Sequence, residues 1–291
     1  MTAAELDTAL ARLAAEGRPG VCVTPRYRLR SVVWGEPGGV PLVFVHGMND
    51  LARSFAPVMA RLVDAGVRCV AYDLPNGAGD GANLGMVRHP HFVADLVALL
   101  DHLGEPVADL FGSSFGSTIA LRTAAAHPDR VRRVVLQGGF ARRPLHWSER
   151  GLARLGRYWF GVRMGDLPFR EREVRRMEGK PFAGLDGAAW RFLSANTAVT
   201  PGRACALRTL MLDRLDLRPL LPRVRCPVLM VGGDRDGVVP RWCEAEVEAG
   251  VPDVRRVGFA GGGHYPQYTH AAATAAEVFR FLPLKPGPQP A

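Results

Sequence analysis

The sequence predicts an α/β protein in which a mostly parallel sheet is flanked by helices and a helical cap is inserted into the chain. Three observations predict this architecture. Short apolar runs alternate with helical patterns over the first 140 residues, strand-like runs are missing from 141 to 221, and the alternation returns from residue 222. A repeated strand–helix order is typical of parallel sheets with right-handed crossovers.

The individual elements follow from the local pattern. The alternating segment YRLRSVVWG predicts an early antiparallel strand, and four further strands are predicted at PLVFVHG, VRCVAYDLP, PVADLFG and VRRVVLQGG. Helical spacing predicts helices at SFAPVMARLVDAG, at HFVADLVALLDHLG and from Phe115 to Ala126. After residue 222 we expect a strand at CPVLMVGGD, a helix near RWCEAEVEAG, a short strand at VRRVGFA and a last helix near QYTHAAATAAEVFRFL.

The segment between these two parts differs in character. Arginines cluster in SERGLARLGRYWFGVR and FREREVRRMEGK, and three of the five tryptophans also lie here. We therefore expect a core domain of residues 1–140 and 222–291 and a helical cap, or lid, of residues 141–221. The proline-rich tail LPLKPGPQPA is expected to be disordered.

Length and composition exclude several classes of protein. At 291 residues and 47% hydrophobic content the chain can bury a full core, but no run approaches the about 18 apolar residues of a membrane span. The stretch MTAAELDTALARLAAEG lacks the basic-then-apolar layout of a signal peptide, so we expect a cytoplasmic protein. The five cysteines have no C-x-x-C spacing, which argues against a disulfide framework and a zinc site; they are Cys22, Cys69, Cys205, Cys226 and Cys243.

The net charge of +9 is weak evidence for a partner. Only Lys180 and Lys285 among the 37 basic residues are lysines, and such an arginine bias is commonly an effect of genome composition. A basic surface can attract acidic substrates, but no recognised nucleic-acid-binding motif accompanies it. We expect a small-molecule substrate and no nucleic acid, and the sequence makes no prediction of the oligomeric state.

One short motif carries chemistry. Residues 112–116, GSSFG, match G-x-S-x-G with Ser114 at the centre, between a predicted strand and a predicted helix. In that context the chain turns so sharply that the neighbours of the serine are glycines and its hydroxyl is exposed above the sheet. We interpret Ser114 as a nucleophile and Ser113 as a small spacer.

A serine hydroxyl is a weak nucleophile at neutral pH and needs a base, which in turn needs an acid to orient it. His264 lies in the glycine-rich segment GGGHYP, in a loop between the last short strand and the last helix. Asp236, or alternatively Asp234, follows the returning strand in GGDRDGVVP. Loops at strand ends are where catalytic side chains sit in parallel sheets.

With Ser, Asp and His in this order, the sequence resembles the α/β-hydrolase family, serine-nucleophile members with a helical cap, over nearly the whole chain. The resemblance implies Ser114, Asp236 and His264 as the catalytic triad, with the spacing D-x-x-V-P selecting Asp236 over Asp234. The strand-end HG of the family appears as VHGMND. The resemblance implies that the backbone N–H of Met48 in that loop and the backbone N–H of Phe115 form the oxyanion hole.

The loop D-x-x-G-x-G-x-S of the family appears as DLPNGAGDG, with Asn76 and Asp80 departing from it. The segment GAGDGA formally fits a dinucleotide fingerprint, but Pro75 precedes it and no helical pattern opens on it. His89 and His91 lack the carboxylate cluster of a metal site. We therefore expect no cofactor and no metal.

The role of the cap is left open between two interpretations. The side chains of Trp147, Trp159 and Trp190 either line the substrate pocket, whose walls are typically apolar, or pack the cap helices together. The cap arginines are either a solvated face or a means of selecting an anionic acyl group.

The function predicted is a cofactor-independent serine hydrolase that cleaves a carboxylic ester or related acyl substrate through an acyl-enzyme. A carbon–carbon bond hydrolase, a thioesterase and a proline-type aminopeptidase are alternatives on the same triad, because the fold does not separate them. A lyase, a cofactor-free oxygenase and a small-molecule receptor are alternatives of another class.

Overall fold

The computed structural model describes residues 1–183, 185 and 187–282. Its centre is a sheet of eight strands, in the order β1-β2-β4-β3-β5-β6-β7-β8. The strands are β1 (Arg18–Val23), β2 (Arg28–Trp34), β3 (Leu42–Val45), β4 (Cys69–Tyr72), β5 (Ala108–Ser113), β6 (Val131–Gln137), β7 (Val228–Gly233) and β8 (Val254–Phe259). β2 pairs antiparallel with β1 and β4, and the other neighbours are parallel, which confirms the predicted fold class.

Eleven α-helices lie in the described part of the chain. Those outside residues 141–221 are α1 (Ala3–Glu16), α2 (Ala56–Asp64), α3 (His89–His102), α4 (Phe115–Ala126), α9 (Arg241–Gly250), α10 (Pro266–Thr269) and α11 (Ala271–Phe281). Those inside it are α5 (Trp147–Gly156), α6 (Arg170–Phe182), α7 (Gly187–Ala198) and α8 (Gly202–Leu212). The segment predicted as a cap thus contributes helices between β6 and β7.

The alternation of side chains along each strand divides the core into two layers. On β3, Val43 and Val45 pack in one cluster with residues of α3, α4 and α9, whereas Leu42 and Phe44 pack in another with residues of α1, α2 and α11. Both faces of the sheet are therefore covered, which explains why β3 is a continuous apolar run rather than an alternating one.

Two elements differ from the sequence-based expectation. The edge strand β1 was not expected, because Pro19 and Gly20 are poor strand formers; the strand forms on the sheet edge, where it needs only one partner. The last helix is not continuous, since the chain leaves helical geometry at His270, whose ring stacks on Phe259 at 5.3 Å between centroids. The tail from residue 283 onward, expected to be disordered, lies outside the described residues.

Among the described residues, no helix combines the length and the apolar character needed to cross a membrane.

We expect the aromatic cluster of Phe44, Phe55 and Phe111 to contribute strongly to the free energy of unfolding. The ring centroid of Phe44 lies 5.0 Å from that of Phe55 and 5.0 Å from that of Phe111. All three side chains are fully buried. Phe44→Ala should lower the free energy of unfolding by about 3–5 kcal/mol in urea titrations, because it leaves a cavity that the packed neighbours cannot fill. Met86→Ala, at a side chain that is 67% exposed, should change it by about 0.5 kcal/mol or less. Equal losses in the two variants would contradict this account of the core.

Candidate active site

The chain turns at Ser114, between β5 and α4. Among the described residues Ser114 is the only one other than glycine with a positive φ, at 52° with ψ −117°. A side chain is disfavoured in this conformation, which persists only where the surrounding structure holds it. The Ser114 backbone N–H donates to the Gln137 carbonyl at 2.8 Å, and its side chain is partly exposed.

The two glycines of the motif make the bend possible. A Cβ added at Gly116 would lie 2.1 Å from the carbonyl oxygen of Val45, and one added at Gly112 would lie 2.6 Å from the carbonyl oxygen of Gly116. A side chain at Gly116 would push the start of α4 away from β3, and one at Gly112 would push it away from β5. The sequence G-x-S-x-G is therefore required by backbone contact, as the motif predicts.

Ser113 is buried, and its hydroxyl oxygen accepts a hydrogen bond from the Gln137 side-chain amide at 2.9 Å. The same amide donates to Gln267 at 2.6 Å, so Ser113 belongs to a polar network beneath the bend. This arrangement fits the interpretation of Ser113 as a spacer and leaves Ser114 as the accessible hydroxyl.

The loops after β7 and β8 bring Asp236 and His264 together. The Nδ1 atom of His264 lies 2.8 Å from Oδ2 of Asp236. The other carboxylate oxygen accepts hydrogen bonds from the backbone N–H groups of Val238 and Val239, both at 2.8 Å. All the hydrogen bonds described for this carboxylate favour its ionised form and fix its orientation toward the imidazole.

Burial opposes the charge of both partners, but their attraction outweighs it. Burial alone would raise the pKa of Asp236, yet the facing imidazole and the two backbone N–H groups hold that pKa below its ordinary value. Burial alone would lower the pKa of His264, yet the Asp236 carboxylate raises it above its ordinary value. The pair is therefore suited to hold a proton on the imidazole during a reaction.

The end of β6 connects this pair to Ser114. Gln137 accepts the Ser114 N–H, and the next residue, Gly138, lies against the imidazole: a Cβ added there would be 2.9 Å from Cε1 of His264 and 3.3 Å from Oδ2 of Asp236. Gly138 has a positive φ of 54°, which suits glycine. Two adjacent residues at the end of β6 thus connect the parts of the site: Gln137 contacts the serine bend, and Gly138 contacts the Asp–His pair.

The rival carboxylate, Asp234, occupies a different place. It is exposed, and it accepts a hydrogen bond from the backbone N–H of Gly261 at 2.8 Å. Of the two aspartates, only Asp236 is bonded to His264.

The two proposed oxyanion-hole residues flank the bend. Phe115 is the first residue of α4, so its N–H has no partner within the helix, while its side chain packs against Phe92 at 5.3 Å. Met48 lies in the loop after β3, whose Gly47 approaches Ser114: a Cβ on Gly47 would be 3.5 Å from the Ser114 Cβ. The Met48 sulfur accepts a hydrogen bond from Thr209 at 2.9 Å.

The other histidines of the core are bonded within it. His46 donates from Nδ1 to the Gly47 carbonyl at 2.7 Å and accepts the Leu74 N–H at Nε2, 2.9 Å away; burial lowers its pKa to about 3. His89 bonds to the Thr118 hydroxyl at 2.8 Å, and burial likewise lowers its pKa to about 3. In the described ranges, no three His, Cys, Asp or Glu side chains are grouped so as to hold a metal ion.

The loop DLPNGAGDG is organised by one of the residues that depart from the family pattern. The buried Asp80 carboxylate accepts hydrogen bonds from the backbone N–H groups of Asn76 at 2.7 Å, Gly77 at 3.1 Å and Ala82 at 2.9 Å. Asp80 therefore closes this loop on itself.

The three tryptophans lie in different surroundings. Trp147 is 76% exposed. The ring of Trp159 lies against Gly156 and Gly202, where an added Cβ would come within 3.3 and 3.0 Å of it. Trp190 packs edge-on against Phe182 at 5.4 Å, beneath the Arg175 guanidinium at 4.8 Å. The contacts described for Trp159 and Trp190 favour packing within the 141–221 segment, and their role in binding substrate stays a prediction.

Two residues near the site were not predicted. Glu178 on α6 is buried, and its carboxylate oxygens accept the backbone N–H of His264 at 3.2 and 3.0 Å. Arg208 on α8 is also buried and donates to the carbonyl of Met48 and to those of Leu74 and Pro75, 3.3 and 2.8 Å away. Each is one charged residue among many in the segment, so no spacing or motif distinguishes it.

Comparisons with known proteins identify the family of this chain. The family model described as "alpha/beta hydrolase fold" matches residues 40–271. The pimeloyl-[acyl-carrier protein] methyl ester esterase of Neisseria meningitidis serogroup C is 32% identical over 248 residues, covering 82% of this chain and 93% of that protein. The protein of the same name from Aliivibrio salmonicida is 27% identical over 267 residues, covering 87% and 96%.

A solved structure agrees in fold. The crystal structure of a hydrolase from Pseudomonas aeruginosa superposes with a TM-score of 0.79 at 18% identity, covering 92% of this chain and 99% of that one. The family match extends over more than half of the chain. The chain therefore belongs to the α/β-hydrolase family.

Proposed function

We propose that this chain is a serine hydrolase that cleaves a carboxylic ester through an acyl-enzyme on Ser114. The observation that carries the proposal is the buried hydrogen bond between Asp236 and His264, held against the strand end that also bonds the Ser114 backbone. The predicted class, carboxylic ester hydrolase, is confirmed by curated relatives that are methyl ester esterases.

In the first half of the reaction, Oγ of Ser114 attacks the ester carbonyl carbon while Nε2 of His264 takes the hydroxyl proton. Asp236 holds the proton of Nδ1 and stabilises the imidazolium that forms. The tetrahedral intermediate then expels the alcohol, which leaves with the proton from Nε2. The acyl group remains esterified to Ser114.

The backbone N–H groups of Met48 and Phe115 bind the negatively charged oxygen of the intermediate. The Phe115 N–H also lies at the positive end of the α4 dipole, which favours an anion there. Water then attacks the acyl-enzyme, with His264 again taking and returning a proton, and the carboxylic acid leaves. No cofactor takes part in these steps.

The proposed function also includes a division of the chain into a core and a cap, and a location in the cell. Residues 141–221 form a cap over a core of residues 1–140 and 222–291, with α6 and α8 contacting the catalytic loops through Glu178 and Arg208. The five cysteines are free thiols, as is usual in the cytoplasm, where we place the protein.

The names of the relatives point to an acyl chain linked to a carrier protein, and the cap has a surface suited to one. On it, Arg157 lies 4.5 Å over the ring of Tyr158, and Arg203 lies 4.7 Å over the ring of Phe160. Both rings are exposed, and neither arginine is paired with a carboxylate in the described part of the chain. We call these four residues the carrier face, because guanidinium groups beside apolar rings suit a partner with a negatively charged surface.

The nucleophile is tested by Ser114→Ala. The substitution should lower kcat/KM for p-nitrophenyl butyrate by about 10³-fold or more, since it removes the atom that forms the acyl-enzyme. A fluorophosphonate probe should label the unsubstituted enzyme at Ser114, mapped by peptide mass spectrometry. Ser113→Ala should still be labelled; unchanged ester turnover in Ser114→Ala would refute the proposed mechanism.

Substitutions of two neighbouring aspartates test which of them orients His264. Asp236→Asn should lower kcat by about 10³- to 10⁴-fold, because an amide facing Nδ1 favours the wrong imidazole tautomer. Asp234→Asn is the matched control and should keep kcat within about threefold, since that side chain bonds only a surface loop. A reversal of these two results would move the role to Asp234.

The carrier face is tested by charge reversal. Arg157→Glu combined with Arg203→Glu should raise KM for a methyl ester presented on acyl-carrier protein by about tenfold, through loss of attraction to the carrier. The KM for the free methyl ester of the same acyl chain should stay unchanged. If both substrates respond equally, the four residues act on the fold or the acyl site and not on a carrier.

A further inference from the structure

Helix α6 brings a third buried ionisable group to the Asp–His pair. The Glu178 side chain is 1% exposed, and both of its oxygens lie within hydrogen-bond distance of the backbone N–H of His264. It therefore contacts the same residue as Asp236, but through the main chain rather than the imidazole. The mechanism described above does not use this carboxylate.

The fit of α6 against the two catalytic loops is close. A Cβ added at Gly263 would lie 2.2 Å from Oε2 of Glu178 and 2.6 Å from Cγ of Pro181. On the other loop, a Cβ added at Gly237 would lie 3.0 Å from the Met177 carbonyl oxygen. One turn of α6 thus packs against glycines next to both His264 and Asp236, which independently supports a role in placing these loops.

The charged and titratable groups that face this contact come from several elements. Asp236 and Tyr265 lie on the loops, and Arg143 acts on His264 from the segment after β6. Burial raises the pKa of Glu178 to about 7, against the attraction of His264. The ionised Glu178 carboxylate adds to that of Asp236 in raising the pKa of the imidazole.

We propose that Glu178 is a positioning residue that ties cap helix α6 to the backbone of the catalytic histidine and so holds the imidazole in line with Asp236 and Ser114. This inference rests on the proposed function of His264. Its physical basis is that a base misplaced by about 1 Å loses on the order of 10²-fold in rate. The carboxylate also supplies negative charge that favours the imidazolium formed in each half of the reaction.

The first test is Glu178→Gln, which keeps the shape and removes the charge. We expect kcat for p-nitrophenyl butyrate to fall about 10- to 100-fold with KM within about threefold, because the loss concerns orientation rather than binding. Glu171→Gln is the matched control, since Glu171 lies on the same helix, exposed and paired with Arg175. It should behave as the unsubstituted enzyme.

The pH profile separates positioning from a merely structural role. His264 acts as a base only when neutral, so kcat/KM rises with pH through the imidazole pKa, and this acid limb should lie above pH 6.5 in the unsubstituted enzyme. Glu178→Gln removes a negative charge near the imidazole and should move the midpoint about 0.5–1 unit to lower pH. Reduced thermal stability with an unshifted acid limb would overturn the proposal.

A third measurement does not depend on turnover. In Glu178→Ala the backbone N–H of His264 loses its acceptor, so hydrogen–deuterium exchange of the peptide containing it should speed up about tenfold or more, while Glu171→Gln leaves it unchanged. Equal exchange in Glu178→Ala and the unsubstituted enzyme would overturn the proposal.

Failure of this inference is distinguishable from failure of the proposed function. If Ser114→Ala or His264→Gln retains ester turnover, the proposed function fails. If both lose turnover while Glu178→Gln keeps the kcat and the acid limb of the unsubstituted enzyme, only the role of Glu178 fails.

Discussion

The site depends on how closely backbones approach one another at the carboxyl edge of the sheet. Gly116 meets the end of β3, and a Cβ added at Gly233 would lie 2.0 Å from the backbone of Gly262 in the loop that carries His264. Side chains at these positions would separate strand ends that now lie in contact. Because these contacts are between main-chain atoms, the spacing between these strand ends and loops is set by the fold itself.

Burial of charge is the second constraint. Asp236, Glu178 and His264 are removed from water together, and each would be costly alone. Burial raises the pKa of Glu178 to about 7, whereas the imidazole and two backbone N–H groups hold that of Asp236 below its ordinary value. The arrangement favours the imidazolium form that the proposed mechanism requires.

The sequence predicts those parts of the fold and of the candidate site whose pattern lies within one short stretch of the chain. Ser114 is identified by its own glycines, and Asp236 and His264 by short motifs after apolar strands, since turn geometry and strand ends leave residue-level patterns. β1 is not predicted, because Pro19 and Gly20 have low strand propensity. In the structure, pairing with β2 outweighs that low propensity. The proposed role of Glu178 is not predicted, because it depends on a contact between α6 and a residue 86 positions away in sequence.

The same distinction applies to the tryptophans of the cap. The sequence leaves open whether they line a substrate pocket or pack helices together; in the structure Trp147 is exposed while Trp159 and Trp190 pack within the 141–221 segment. Composition alone does not specify which face of a helix a side chain occupies.

Arg208 has a consequence for how such enzymes diversify. Its guanidinium reaches from α8 to main-chain oxygens that follow β3 and β4, including that of Met48, so a residue of the 141–221 segment holds the loop proposed to supply an oxyanion-hole N–H. Hydrogen bonds from a charged group contribute about 1.5–3 kcal/mol each. If the proposed oxyanion hole holds, a chimera that exchanged residues 141–221 for the equivalent region of a relative would alter the reaction rate, unless the donor supplied its own hydrogen bonds to that loop.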